Sequence, residues 1–406
     1  MKKIICLILS GLFILSPVIS FAILDNEGVI PVWSDTVVET FNQIQNRVEL
    51  NLDSEAAILM EEDSGTILYT KNEHAKLRPA SVTKVMTILL IMEALDRGDI
   101  TLEDKVPCSE RARKMGGSQI WLAENETLTV HEMLKAICVV SANDCCVAMS
   151  EFIAGSEEAF VEKMNARASE LGMNDTTFKN CHGIDEDGHL TSAYDIAIMS
   201  RELSKNFPQI HEYTTIWMDT LRDGKSELVN TNKLVRFYSG CTGLKTGSTS
   251  LALFNLSATA TRNDLKLIAV VLKGPTSQQR FDDAKKLLDY GFANFSNKVI
   301  INQGAVATTI DIEKANKTQI DIVAENDLMV LLNKGDEKNI RTEIILNENV
   351  SAPLEYFEVV GVQRCYLNDE MIGEVNLVSS EKVESKGWRN FFAEIFDYGS
   401  RLRKVK

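Results

Sequence analysis

Pro79-Ala80-Ser81-Val82-Thr83-Lys84-Val85-Met86 opens the stretch whose reading decides the fold. Behind Lys84, the residues Val85, Ile88, Leu89, Met92 and Leu95 recur at helical spacing and stop at Gly98, a residue suited to ending a helix. The spacing predicts a helix over residues 81–96. Positions i and i+3 share a helix face, so the Lys84 amine reaches the Ser81 hydroxyl. Ser81 then sits near a helix N-terminus, where free N–H groups and the dipole favour developing negative charge. A serine hydroxyl is a weak nucleophile until a base takes its proton, and a desolvated neutral lysine is such a base. Alone, the pair is also what an ordinary capped helix presents. Ser379 and Lys382 repeat the spacing in an unrelated setting.

Two further motifs lie downstream. Ser141-Ala142-Asn143 falls in a break between two helical stretches. A hydroxyl and an amide there can relay a proton and orient a substrate amide, or merely cap the helix that begins near Asp144. Lys245-Thr246-Gly247-Ser248-Thr249 ends a segment before a hairpin. Its glycine lets another backbone approach a strand closely, and the lysine and hydroxyls suit a carboxylate. A lysine-rich turn is the plainer alternative. The three motifs follow one another at intervals of 60 and 104 residues, which is far more specific than any one alone.

Together they resemble the signature of penicillin-binding proteins and class A β-lactamases, with Ala142 where that set carries Asp. The chain is similar to the low-molecular-mass penicillin-binding proteins that act as serine D-alanyl-D-alanine carboxypeptidases. The likeness extends over roughly residues 50–380 and includes Lys114-Met115-Gly116-Gly117-Ser118, Asn180-Cys181-His182-Gly183, Thr191-Ser192-Ala193-Tyr194-Asp195 and Leu287-Leu288-Asp289-Tyr290-Gly291-Phe292. The resemblance implies Ser81 as acylated nucleophile, Lys84 as its base and Ser141 as proton relay to leaving D-alanine. It implies Asn143 on the substrate amide, Lys245 supporting the relay, Thr246 on the terminal carboxylate, and N–H groups of Ser81 and Ser248 as oxyanion hole beside Gly247. Arg280, between the Gly274-Pro275-Thr276 loop and a helix, stands where that family binds the carboxylate. The implied substrates are peptidoglycan stem peptides, with β-lactam antibiotics as inhibitors. A D,D-endopeptidase, a β-lactamase or a non-catalytic penicillin-binding wall protein are the alternatives. A class A β-lactamase needs a glutamate-activated water, and Glu186 sits in an acidic turn without that family's flanks.

No cofactor or metal is expected. His182, Asp185, Asp187 and His189 match neither a helix-borne zinc pattern nor an EF-hand loop, and read as a polar loop lining the site. The five histidines support no Ser-His-Asp arrangement.

The ends read differently from the body. Lys2 and Lys3, an apolar run from Ile4 to Ile19 and the small residues Ser20 and Ala22 predict a signal peptide over 1–22, with an uncleaved anchor as the alternative. At the other end, Trp388, Phe391, Phe392, Ile395, Phe396 and Leu402 recur at helical spacing among Arg389, Arg401, Arg403, Lys404 and Lys406. Such a segment predicts an amphipathic helix that holds the protein to the outer face of the cytoplasmic membrane, with a helix docked on its own domain as the alternative. The chain has 406 residues and a net charge of −15, which argues against nucleic acid as a partner. Because both ends are basic, the acid is concentrated in the body. Of 8 cysteines, Cys6 leaves with the signal, so an odd number remains and no disulfide framework is expected.

The expected fold is α+β. Residues 23–50 lead in. A catalytic domain over 51–297 has an antiparallel sheet flanked by helices. An all-β sandwich follows over 298–380, and the anchoring segment runs over 381–406. Thr129 and Glu132 predict a capping box, and Arg262-Asn263-Asp264 and Glu62-Asp63-Ser64-Gly65 predict hairpins.

Overall fold

A computed structural model of the protein describes residues 49–385. The signal segment 1–22, nearly all of the lead-in and the amphipathic stretch 386–406 lie outside the described residues. Among the described residues, no helix is long and apolar enough to cross a membrane.

The catalytic-domain strands, in chain order, are β1 (Ala56–Glu61), β2 (Ile67–Lys71), β3 (Lys105–Pro107), β4 (Thr127–Thr129), β5 (Met218–Leu221), β6 (Ser226–Val229), β7 (Cys241–Thr249), β8 (Leu253–Arg262) and β9 (Leu265–Gly274). Five of them form one sheet in the order β2-β1-β9-β8-β7, antiparallel throughout. The period of two sorts side chains to opposite faces. Ala56, Ile58 and Met60 of β1 enter a large cluster with the helices Lys84–Asp96, Val130–Val140 and Asn143–Ala154. Ala57 and Leu59 enter a second cluster under the helix Ser277–Asn294, through Phe281, Leu287 and Leu288. Both faces of β8 and β9 are covered, which is why those strands read as nearly continuous apolar runs.

Local signals placed the turns correctly. Asn263 (φ 48°) and Asp264 (φ 63°) form a two-residue hairpin loop, and a residue pair with both φ positive matches the strand twist. The Thr129 hydroxyl accepts from Glu132 N and the Glu132 carboxylate accepts from Thr129 N. Helix Lys84–Asp96 stops before Gly98, at φ 73°. At its other end the expectation needs correction. Residues 80–83 form a 3₁₀ turn, and the α-helix begins at Lys84. A 3₁₀ turn eclipses side chains at i and i+3, which brings Ser81 and Lys84 closer than an α-helical start would. The two-stranded ladders β3–β4 and β5–β6 gave no periodic signal, being only three and four residues long.

The C-terminal region is all β: β10 (Phe295–Ile301), β11 (Val306–Asp311), β12 (Gln319–Ala324), β13 (Leu328–Asn333), β14 (Ile340–Leu346), β15 (Val359–Leu367) and β16 (Glu370–Ser379). β10 pairs with β13, and the rest form a sheet ordered β11-β12-β16-β15-β14. The layers meet where Gly373 of β16 lies under Leu328 and Val330; a Cβ there would stand 2.9 Å from Leu328 Cδ1. The strand expected from 298 starts at Phe295. Residues 381–385, expected to open the tail, instead bridge back to this region through Val383–Leu354 and Ser385–Ala315.

Candidate active site

Ser81 and Lys84 lie where the 3₁₀ turn meets the buried helix. Lys84 Nζ is 2.9 Å from Ser81 Oγ, 2.6 Å from Asn143 Oδ1 and 2.6 Å from the His182 carbonyl. Lys84 is fully buried, and burial pushes its amine below the usual lysine range. A neutral amine retains two N–H groups, enough for Asn143 and His182, and turns its lone pair to the Ser81 hydroxyl. The arrangement can therefore accept a proton from Ser81 without moving the lysine.

Ser141 is not the helix cap that its position allowed. It ends helix Val130–Val140 in a left-handed conformation (φ 67°, ψ 34°), and Ala142 precedes the next helix without a side-chain cap bond. The buried Ser141 Oγ has no partner. Asn143 is fixed from behind: its N donates to Ser118 O and its Nδ2 to Gly116 O, both at 2.7 Å.

The Lys-Thr-Gly motif lies on β7, an edge strand of the sheet. A Cβ at Gly247 would stand 2.8 Å from Val82 N and 2.9 Å from Ser81 N, so only glycine lets β7 lie against the nucleophile turn. Lys245 is buried, and burial above all lowers it to about 7. Its Nζ donates to the Thr246 carbonyl at 3.0 Å. Thr246 Oγ1 meets Thr231 Oγ1 at 2.7 Å, and Ser248 is exposed. Arg280 packs behind the strand. Its Nη1 lies 3.2 Å from the Gly247 carbonyl, its buried Nε has no partner, and burial lowers it to about 10.

Two positioning residues, Asn255 and Thr231, escaped the sequence reading, and His182 was read only as part of a polar loop lining the site. Asn255 of β8 donates to the Arg78 and Pro79 carbonyls at 2.8 and 3.0 Å and so holds the nucleophile turn. Thr231 reaches Thr246 from a region with no recognised motif. His182 contributes its backbone carbonyl, an atom that residue type cannot signal. The surrounding loop was marked by its polarity and by the Asn180-Cys181-His182-Gly183 segment of the family likeness. Asp185 and Asp187 lie 4.0 and 3.1 Å from the Arg78 guanidinium. His189 Nε2 donates to Thr83 Oγ1 at 2.8 Å while its Nδ1 accepts from Lys179 N at 3.1 Å. All seven described cysteines are free, and six are buried.

That loop makes the site acid-sensitive. Burial lowers His189 to about 4 and His182 to about 3, so both are neutral near pH 7. The unfolded chain takes up these protons near pH 6.5 and the folded chain only below about 4, so stability falls with pH through that window. For His189 the loss is on the order of 3 kcal/mol by pH 4. Thermal unfolding of His189→Gln should show a shallower decline of Tm between pH 6.5 and 4. An unchanged slope would remove His189 from the account.

An antiparallel sheet with a serine–lysine turn packed on its edge strand, closed by an asparagine on the lysine, defines the serine acyl-transfer class. The chain belongs to the D-alanyl-D-alanine carboxypeptidase family, peptidase S11, whose sequence model matches residues 42–276. The model of the penicillin-binding protein 5 C-terminal domain matches residues 295–385. The D-alanyl-D-alanine carboxypeptidase DacF of Bacillus subtilis is 41% identical over 347 residues, covering 84% of this chain and 89% of that one. The solved penicillin-binding protein 5 of Haemophilus influenzae aligns with TM-score 0.71 at 30% identity, over 83% of this chain and 99% of that one. Penicillin-binding protein D2 of Listeria monocytogenes, solved with ampicillin bound, aligns with TM-score 0.56 at 30% identity, over 60% of this chain and 100% of that one.

Proposed function

We propose that this protein is a serine-type D-alanyl-D-alanine carboxypeptidase that trims terminal D-alanine from peptidoglycan stem peptides outside the cytoplasm. The Lys84–Ser81 contact of 2.9 Å, closed by Asn143, carries the reading. Ser81 Oγ attacks the carbonyl of the penultimate D-alanine, and its proton passes to Lys84. The tetrahedral oxyanion is held by the N–H groups of Ser81 and Ser248. The C–N bond breaks as the proton held by Lys84 passes through the Ser141 hydroxyl, beside Lys245, to the departing D-alanine amine, leaving Lys84 and Ser141 neutral. Water then hydrolyses the ester and restores Ser81 and Lys84.

Thr246, beside Lys245, takes the terminal carboxylate, and Arg280 adds positive charge behind Gly247. That cationic end favours a substrate with a free C-terminus over the internal bond of an endopeptidase. β-Lactams acylate Ser81, and the ester is released slowly. The amphipathic segment 386–406 holds the enzyme at the membrane surface. No metal or cofactor enters the reaction. The direct test incubates the purified protein with a peptide ending in D-Ala-D-Ala and measures free D-alanine. Release of D-alanine and slow penicillin turnover are expected; rapid penicillin turnover without D-alanine release would reassign the protein to the β-lactamases.

A further inference from the structure

Trp121 stands at the end of the loop that fixes Asn143, and it is 75% exposed. Its backbone is left-handed, at φ 55°, which a bulky residue adopts only when its surroundings impose it. Those surroundings are built. The buried Asp144 carboxylate accepts from the N–H groups on either side, Ile120 N at 3.2 Å and Leu122 N at 3.0 Å. Arg222 donates to the Ile120 carbonyl at 2.9 Å and to the Trp121 carbonyl at 3.5 Å, while Glu126 holds its Nε at 2.6 Å. In the amide orientation that satisfies both its ends, Gln119 accepts from Trp121 Nε1 at 3.2 Å and donates to the Met115 carbonyl at 2.8 Å. The indole is thus held out in water by groups that are themselves pinned.

It borders a groove of about 620 Å³ between this loop and the β5–β6 hairpin. Ser118 and Val140 line the end of the groove next to Asn143 and Ser141; Lys225, Ser226 and Glu227 line the hairpin side. Of the charged side chains that line it, Arg222 is already paired with Glu126, and the exposed Lys225 and Glu227, two residues apart, offset each other, so little unpaired charge faces the groove. It therefore favours a neutral polar ligand with an apolar face, and a sugar ring offers C–H groups on one face and hydroxyls around its rim.

We propose that Trp121 is a stacking platform for an amino-sugar ring of the glycan strand that carries the stem peptide. This rests on the carboxypeptidase reading above. Position supports it: the groove that Trp121 borders is also lined by Ser118, whose carbonyl accepts from Asn143 N, and by Val140, which precedes Ser141, so a stem peptide leaving the site along the groove carries its sugar toward the indole. The Trp121 platform would make the enzyme prefer peptide still attached to glycan.

The test uses the protein carrying Ser81→Ala, so that binding is read without turnover. Its Kd is measured by calorimetry for a D-Ala-D-Ala pentapeptide, and for the same pentapeptide on a disaccharide of N-acetylated amino sugars. The disaccharide should tighten binding about tenfold, the gain should vanish with Trp121→Ala, and Trp121→Phe should restore most of it. An equal gain with and without the indole, no gain from the sugars, or an equal loss for both ligands on Trp121→Ala would overturn the proposal. The last outcome would mean that the peptide itself occupies the groove. Failure of the carboxypeptidase reading shows separately, as absence of D-alanine release by the unsubstituted enzyme.

Discussion

Ser81→Ala should abolish labelling by fluorescent penicillin and lower D-alanine release by at least about ten-thousand-fold, with little change in Tm. The side chain is only partly buried, and its hydrogen bond to Lys84 is one of three that the amine makes. Its loss leaves the lysine with Asn143 and the His182 carbonyl, so the fold has little reason to change. The chemistry has no substitute, because a neutral Lys84 beside an alanine methyl has no hydroxyl to activate. D-Alanine release that survived the substitution would remove Ser81 from the role of nucleophile.

Gly183→Ala should damage the protein more than alanine at any other described glycine. Gly183 has φ 90°, and a Cβ there would fall 1.9 Å from the Ala80 carbonyl oxygen and 2.9 Å from Thr83 Oγ1. The obstacle is backbone, next to the nucleophile turn, and it cannot rotate away. The loop cannot retreat either, because the preceding residue holds Lys84 through its carbonyl and Cys181 O accepts from Thr87 Oγ1 at 2.5 Å. The expected loss is upwards of about 3 kcal/mol, with penicillin acylation lost as the turn is displaced. Gly155→Ala is the control. It has φ 83° but nothing within 4 Å of the added Cβ, so it should cost only the left-handed backbone, about 1–2 kcal/mol. Equal Tm values for the two variants would show that the collision is relieved and that Gly183 is tolerated only for its backbone angle.

Acid lability of the His189 loop belongs with these two effects, since all three act on the small volume where the loop, the 3₁₀ turn and the buried helix meet. The Thr87 hydroxyl, the His189 ring and the Lys84 amine buried there each have hydrogen-bond partners. Among the described residues at the site, Ser141 Oγ, Arg280 Nε and Asp185 Oδ1 are buried without a hydrogen-bond partner. A substrate hydroxyl, amide or carboxylate would supply the missing bonds, which is how a site comes to favour its ligand over water.

Local pattern determined much of this protein. The nearly continuous apolar runs of β8 and β9, the capping box at Thr129 and the two-residue turn at Asn263-Asp264 are written in neighbouring residues, because a buried strand's run of apolar residues or a pair of positive φ angles is a local property. The Ser81–Lys84 contact was legible for the same reason: three residues apart on a helical turn is a distance set by the backbone alone. Other features depended on the tertiary structure. Asn255 holds a turn 176 residues away, the Gly183 hydrogen faces Ala80, and His182 serves through its carbonyl, an atom every residue has. The exposure of Trp121 was equally hidden, since an aromatic in a sequence reads first as core, and only Asp144, Arg222 and Gln119 together keep it outside. Sequence spacing constrains what lies within one turn or one strand; contacts between distant segments are chosen by packing, where each pairing must satisfy every buried donor and fill the space left by its neighbours.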